Sequence, residues 1–329
     1  MDKVLAGIRA NNFVVVGRVG MDLYPDPPGT ATEEAETVTV AMGGSSANIA
    51  AGIVKLGGKA ALVTRVSDDA VGRYCVRQLG RYGVEATHVT PVGGEYRNSL
   101  ALYETRVEDH QSVIYRNGAA DFQMEIADVE AVDYGRFGAL ITAGTVFAAE
   151  PSRSASFRAF DLARAAGLPV IFDVDYRPYS WLSPEVAADV LSRAGAASDV
   201  IVGNDEEFGF MAGDYARGLD KARDLAARSA AIVVYKMGHR GAVTFAGGEE
   251  IRTGIYKVDA LKPTGAGDSF MAGLMTSLAD GHDLRTAILR GSACASVTVS
   301  RPGCAPAMAD TVTLEAFLAN HPGPTQETT

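Results

Sequence analysis

Residues 263–275 read PTGAGDSFMAGLM. Beyond Asp268, the apolar residues Phe270, Met271, Leu274, Met275 and Leu278 recur at i, i+1, i+4, i+5 and i+8, so one face of a helix is predicted to begin here. The first backbone N–H groups of a helix have no intrahelical partner and carry the positive end of the aligned peptide dipoles. Gly265, Ala266 and Gly267 have little or no side chain, which lets an anion come close to those N–H groups and makes the turn a cradle for phosphate. A carboxylate at Asp268 beside such a cradle repels a phosphate unless a cation or a reacting hydroxyl lies between them. A carboxylate that orients a hydroxyl and accepts its proton during phosphoryl transfer accounts for the arrangement. The competing reading is a plain glycine turn with Asp268 as a helix cap.

Outward from this stretch, short continuous apolar runs recur: FVVVG from Phe13, AALVTRV from Ala60, ALITAG from Ala139, PVIFDVD from Pro169, DVIVGN from Asp199 and AIVVYK from Ala231. Stretches of helical period such as SFRAFDLARAAG separate most of them, which predicts an α/β fold with a mostly parallel sheet covered on both faces. Ligands bind beyond the carboxyl ends of such strands. TVTVA from Thr37, and SLALYETRV and QSVIYR joined by the polar turn EDH, alternate with a two-residue period instead. They predict a small β-sheet lid over roughly 20–42 and 96–118, able to close over a substrate or to pair with another subunit. A single domain is expected over 1–321, with a disordered tail over 322–329.

The 329 residues are 47% hydrophobic and carry a net charge of −10, which argues against a general nucleic-acid or anionic-membrane binder. Cys75, Cys294 and Cys304 form no CxxC pair, and the five histidines are scattered, so neither a zinc site nor a disulfide framework is indicated. No long apolar run is present, and a cytoplasmic protein is expected.

Several further stretches suit a phosphoryl-transfer site, each with a plainer alternative. GGSSANIAAGIVKLGG from Gly43 reads as a small-residue helix built for close packing, or as one whose Gly43 and Gly44 admit a polyol to the backbone while Asn48 meets a hydroxyl. Asp22, in GRVGMDLYP, is either a turn residue or an acceptor for two vicinal hydroxyls. In NDEE after a strand, Asn204 and Glu207 either start a helix or hold Mg²⁺ through water. KMGHRG places Gly238 and Gly241 after Lys236, which suits nucleotide phosphates or a simple hairpin. Neither a Walker lysine motif nor a GxGxxG is present.

GGSSANIAAGIVKLGGKAALVTRVSDDAVGRY and DALKPTGAGDSFMAGL resemble, in order and separation, the two signatures of the ribokinase-like (PfkB) sugar kinases. The resemblance implies that Asp268 is the base, that Gly265, Ala266 and Gly267 form the anion hole, and that ATP and Mg²⁺ are cofactors; it also admits a monovalent cation. ATP contacts are expected from Asn204, Lys236, Gly238, Gly241 and Thr264, with Glu207 on magnesium through water. Sugar contacts are expected from Asp22, Gly43, Gly44, Asn48, Tyr103 and Tyr115. GRVGMDLYP, FDVDYRPYSW and SRPGCAPAM are further similar to family members acting on 5-dehydro-2-deoxygluconate in inositol catabolism, the middle one also to those acting on 2-keto-3-deoxygluconate. These are keto-deoxy sugar acids, so a cation must meet a carboxylate, and Arg177 and Arg116 are the candidates. A homodimer through the lid is expected. The alternatives are a 2-keto-3-deoxygluconate kinase or a ribokinase- or fructokinase-type enzyme and, from another class, a silent sugar-binding regulator that has no need of an intact GAGD.

Overall fold

The computed structural model describes residues 1–106, 109–321 and 323–324. Its strands are β1 (Asn12–Val16), β2 (Gly20–Asp26), β3 (Thr37–Gly43), β4 (Lys59–Ser67), β5 (Glu85–Val92), β6 (Leu100–Tyr103), β7 (Ser112–Tyr115), β8 (Ala139–Ala143), β9 (Val170–Asp173), β10 (Val200–Asn204), β11 (Ile232–Lys236), β12 (Ala242–Ala246) and β13 (Glu249–Thr253). Nine form one sheet in the order β13-β12-β11-β10-β9-β8-β1-β4-β5. All pairs from β11 to β5 are parallel, and β12 and β13 add an antiparallel edge. The six apolar runs of the sequence form β1, β4 and β8 to β11. β5, β12 and β13 carry no such run, because β5 and β13 are half-exposed edge strands with polar residues interleaved.

Strand alternation divides the core. Phe13 and Val15 point to one face, packed with Ile49, Ile53, Leu274 and Met275, while Val14 and Val16 point to the other, with Phe147, Phe160 and Phe172. β1 lies between β4 and β8, so the chain leaves β1 to one side and later returns on the other. The crevice that opens at such a reversal lies beyond the carboxyl ends of the strands.

β3, β2, β6 and β7 form the separate four-stranded sheet, in that order. Its alternation is strict: Val40, Leu23, Leu102 and Val113 stand in register across all four strands on one face. Asp22, Tyr103, Ser112 and Ile114 belong to the opposite face and line the cavity below. The strand expected over SLALYETRV ends at Tyr103, because the Glu104 carboxylate turns inward and accepts hydrogen bonds from the Thr32 and Gln111 N–H groups at 2.8 and 2.9 Å. The EDH turn includes residue 108, and the expected tail includes 322 and 325–329, all outside the described residues. Among the described residues no helix is long and apolar enough to cross a membrane.

Candidate active site

The helix Ala266–Ala279 begins after Gly265, whose φ of 81° is a left-handed conformation suited to glycine, and no side chain caps its N-terminus. Asp268 stands in its first turn, and its Oδ2 accepts a hydrogen bond from Asn48 Nδ2 at 2.8 Å. The pair is set by helix packing. A Cβ on Gly52 would lie 2.7 Å from the Ala272 Cβ, so only glycine lets the helices Ser45–Lys55 and Ala266–Ala279 approach this closely. One turn before each of those residues stand Asn48 and Asp268. The close packing expected of the small-residue helix is thus what brings Asn48 to Asp268. Burial lifts the Asp268 carboxyl to about 6, and the charge of Asp175 adds to the shift.

A cavity of about 1660 Å³ runs from the lid across the strand ends to this helix. Asp22, Gly44, Asn48, Tyr103, Arg177, Asn204, Glu207, Lys236, Gly238, Gly241 and Thr264 to Asp268 all line it. Asp22 reaches in from β2, accepts from the Tyr24 hydroxyl at 3.1 Å, and is lifted by burial to about 6. Asn204 and Glu207 form a reciprocal capping box, Asn204 Oδ1 accepting from the Glu207 N–H at 2.8 Å and Glu207 Oε2 from the Asn204 N–H at 2.7 Å. They thus start a helix and border the cavity at once. The Gly238–Arg240 turn joins β11 to the antiparallel β12, so KMGHRG is a hairpin whose two glycines face the cavity.

Three expected sugar contacts stand elsewhere. Gly43 does not border the cavity, because the Asp22 carboxylate fills the space a Cβ there would take, 1.9 Å away. Tyr115 is 59% exposed, on the outer face of the lid. Arg116 is buried away from the cavity, where it pairs with Asp121, donates to the Thr145 carbonyl at 3.0 Å and stacks on the Phe122 ring at 4.0 Å. Its charge is already matched.

The sequence reading missed Arg18, Asp173 and Asp175. Arg18 follows β1, is 6% exposed, and lines the cavity. Its Nη1 donates to Ser99 Oγ at 2.9 Å, its Nε has no partner, and no acid lies within ion-pair distance among the described residues. Arg177, by contrast, is paired with Asp175 at 2.8 Å and half exposed. Gly44 shapes this corner too: at φ 95° it passes so close to the Arg18 carbonyl that a Cβ would lie 2.7 Å from that oxygen. Arg18 lay within the motif GRVGMDLYP, and the signal that could have found it is its place immediately past the first strand, at the topological switch.

Asp173 and Asp175 follow the same rule at the end of β9. Burial pushes the Asp173 carboxyl well up, with Lys236 opposing. At Asp175 burial works in the same direction, yet the Arg177 guanidinium holds the carboxyl below its ordinary value. Asp173, Asp175, Glu207 and Asp268 thus face Arg18, Arg177 and Lys236 in one cavity. Among the described residues no three His, Cys, Asp or Glu side chains converge to hold a metal directly.

A lidded parallel sheet with an open helix N-terminus and a buried, hydrogen-bonded aspartate at its crevice is the architecture of a ribokinase-like phosphotransferase. The pfkB family carbohydrate kinase pattern matches residues 10–311, and the chain belongs to that family. It is a sugar kinase. A 5-dehydro-2-deoxygluconokinase of Geobacillus kaustophilus (strain HTA426) is 36% identical over 315 residues, 94% of each chain. A PfkB protein from Polaromonas sp. JS666 superposes with a TM-score of 0.78 at 27% identity, covering 90% of this chain and 98% of that one. A fructokinase from Vibrio cholerae O395, solved with fructose, ADP and potassium ion, gives 0.80 at 25% identity, covering 93% and 98%.

Proposed function

We propose that the protein transfers the γ-phosphoryl group of ATP to the primary hydroxyl of 5-dehydro-2-deoxygluconate, with 2-keto-3-deoxygluconate as the nearest alternative substrate. The observation that carries the choice of a sugar acid is Arg18, a buried guanidinium that has no acid within ion-pair distance among the described residues and feels Asp121 and Asp175 only from farther off, on the same cavity as Asp268 and Asp22. A buried charge without a partner is costly, and a carboxylate on the substrate supplies one. The relative from Geobacillus kaustophilus is named for this substrate.

In this reading Asn48 and Asp22 hold the sugar hydroxyls, and Tyr103 closes over it from the lid. Asp268 takes the proton of the primary hydroxyl as its oxygen bonds to the γ-phosphorus and the bond to ADP breaks. The open N–H groups at Gly265 to Gly267 receive the charge that gathers on the transferring oxygens. Lys236 and the turn of Gly238 and Gly241 border the remaining phosphates, with Thr264 and Asn204 beside them. Mg²⁺ fits this acidic corner through water rather than by direct ligation, since one Glu207 oxygen is spent on the Asn204 N–H and no three acids converge among the described residues. When bound with ATP it neutralises phosphate charge. Three free cysteines, all buried, and the use of ATP suit the cytoplasm.

The lid supports a second part of the reading, a homodimer. Val38, Val40, Val113 and Tyr115 on its outer face are 44%, 44%, 42% and 59% exposed, and an apolar row in register across four strands suits a second copy of the same sheet.

The test is phosphorus NMR of the product formed from ATP, Mg²⁺ and 5-dehydro-2-deoxygluconate. A monoester signal coupled to two methylene protons supports the assignment. An ester on a secondary carbon, or no ester, refutes it.

A further inference from the structure

Lys262 is the one charged side chain among the largest fully buried ones, at 0% exposure. No acid lies within ion-pair distance of it among the described residues. Its Nζ instead donates to two main-chain carbonyls, Thr264 at 2.6 Å and Thr298 at 3.3 Å. Thr264 immediately precedes Gly265, and Thr298 lies in the last turn of the helix Leu284–Val299. The ammonium therefore bridges the C-terminal, negative end of the helix Leu284–Val299 and the loop that leads into the positive end of the preceding helix, Ala266–Ala279. The neighbouring backbone is tied to the same place: the Leu261 N–H donates to the Val299 carbonyl at 2.8 Å and the Lys262 N–H to the same oxygen at 3.3 Å.

Two carbonyl dipoles converging beneath a phosphate cradle would oppose an incoming anion. A fixed positive charge between them cancels that field and fixes the loop. Burial without an acid partner lowers the ammonium's affinity for its proton, with Cys304, Asp22 and Asp268 acting in the opposite sense. A charge kept at such cost calls for a role that a neutral side chain of the same shape would not fill.

We propose that Lys262 is a positioning residue for phosphoryl transfer, a built-in cation that holds the Thr264–Gly265 entry to the anion cradle, so that this carbonyl site neither needs nor admits a monovalent ion. The monovalent cation that the sequence resemblance admits does not fit here, because the ammonium already occupies the carbonyl oxygens.

The experiment measures kcat and KM of the wild type, Lys262→Met and Lys262→Ala with whichever sugar of a panel is turned over, so that a wrong substrate leaves the test intact. Each is titrated with KCl and NH₄Cl against tetramethylammonium chloride at constant ionic strength. The wild type should be flat in all three salts. Lys262→Met, of matched length but neutral, should lose kcat by a factor on the order of 10², as when one anion-hole donor is removed, with little change in KM for the sugar. Lys262→Ala should lose as much and recover part of its kcat, saturably, with NH₄⁺ or K⁺ but not with tetramethylammonium. A purely structural lysine would not show rescue selective for small cations. Wild-type kcat in a folded Lys262→Met variant overturns the proposal, as does salt-independent loss in a folded Lys262→Ala. The wild-type titration stands even if neither variant folds, and strong activation of the wild type by K⁺ overturns the proposal as well.

Discussion

Replacing Arg18 by methionine keeps an apolar stem of similar reach and removes the guanidinium. Two contributions can be separated. The hydrogen bond from Nη1 to Ser99 Oγ, at 2.9 Å, joins the exit of β1 to the lid and acts on every sugar alike, at about 1 kcal/mol for a neutral acceptor. The charge acts only on a substrate that carries a carboxylate. Truncating one partner of a buried, hydrogen-bonded charge pair costs roughly 2–5 kcal/mol, and Arg18 is buried deeply enough for that range to apply. At about 1.4 kcal/mol per factor of ten, the loss is on the order of 30- to 4,000-fold in kcat/KM for the sugar acid, against about fivefold for a neutral sugar. The assay is ADP release with 5-dehydro-2-deoxygluconate and with fructose, on wild type and variant side by side. Arg18→Lys, which keeps the charge but not the fork, should fall between them. If the ratio between acid and neutral sugar does not move in Arg18→Met, Arg18 does not hold the carboxylate and the case for a sugar acid loses its structural support.

Further expectations attach to the same cavity. Asp268→Asn should lower kcat by roughly 10²–10⁴ while leaving ATP affinity nearly unchanged by calorimetry, and its Tm should hold or rise because a buried charge near Asp175 is removed. With the Asp268 carboxyl lifted to about 6, the protonated, inactive form accumulates as pH falls, so kcat/KM should decline about tenfold per unit below pH 6 and level off above it. Arg177→Leu should move that limb to higher pH, since Arg177 holds the Asp268 carboxyl down and its loss leaves Asp175 unpaired beside it; an unmoved limb would argue against Asp268 as the titrating base. Gly52→Val should wedge the two helices apart at Ala272, costing about 1–3 kcal/mol by thermal unfolding and lowering kcat through the displaced Asn48–Asp268 pair. Val40→Lys with Val113→Lys should convert a dimer to a monomer by light scattering, and a wild type that is monomeric at micromolar concentration would remove the dimer proposal.

The sheet was legible because β1, β4 and β8 to β11 are continuous apolar runs with helical stretches between most of them, the pattern of a doubly covered parallel sheet. The edges were not, since β13 reads EEIRT and β5 interleaves polar residues, and exposed strands need little hydrophobic signal; β2, inside the small sheet, is disguised instead by Pro25. The uncapped helix start and Asp268 in its first turn could be placed from one stretch because local sequence fixes a helix start. The arginines could not be ranked the same way. Arg116 looked suitable beside the lid strand, yet Asp121, five residues on, takes its charge; Arg18 drew no reading at all, and only the switch point at β1 brings it to the cavity with no acid within ion-pair distance among the described residues. Which cation is free is a property of tertiary pairing, and a single sequence does not show it. Gly43 misled for a similar reason: its missing side chain makes room for Asp22 rather than for a ligand.

The central claim is tested most directly by kcat/KM for ATP-dependent turnover across 5-dehydro-2-deoxygluconate, 2-keto-3-deoxygluconate, ribose and fructose at one pH. The account predicts that 5-dehydro-2-deoxygluconate is the best substrate and that both acids exceed both neutral sugars; fructose or ribose turned over fastest, or no turnover of any of the four, would contradict it.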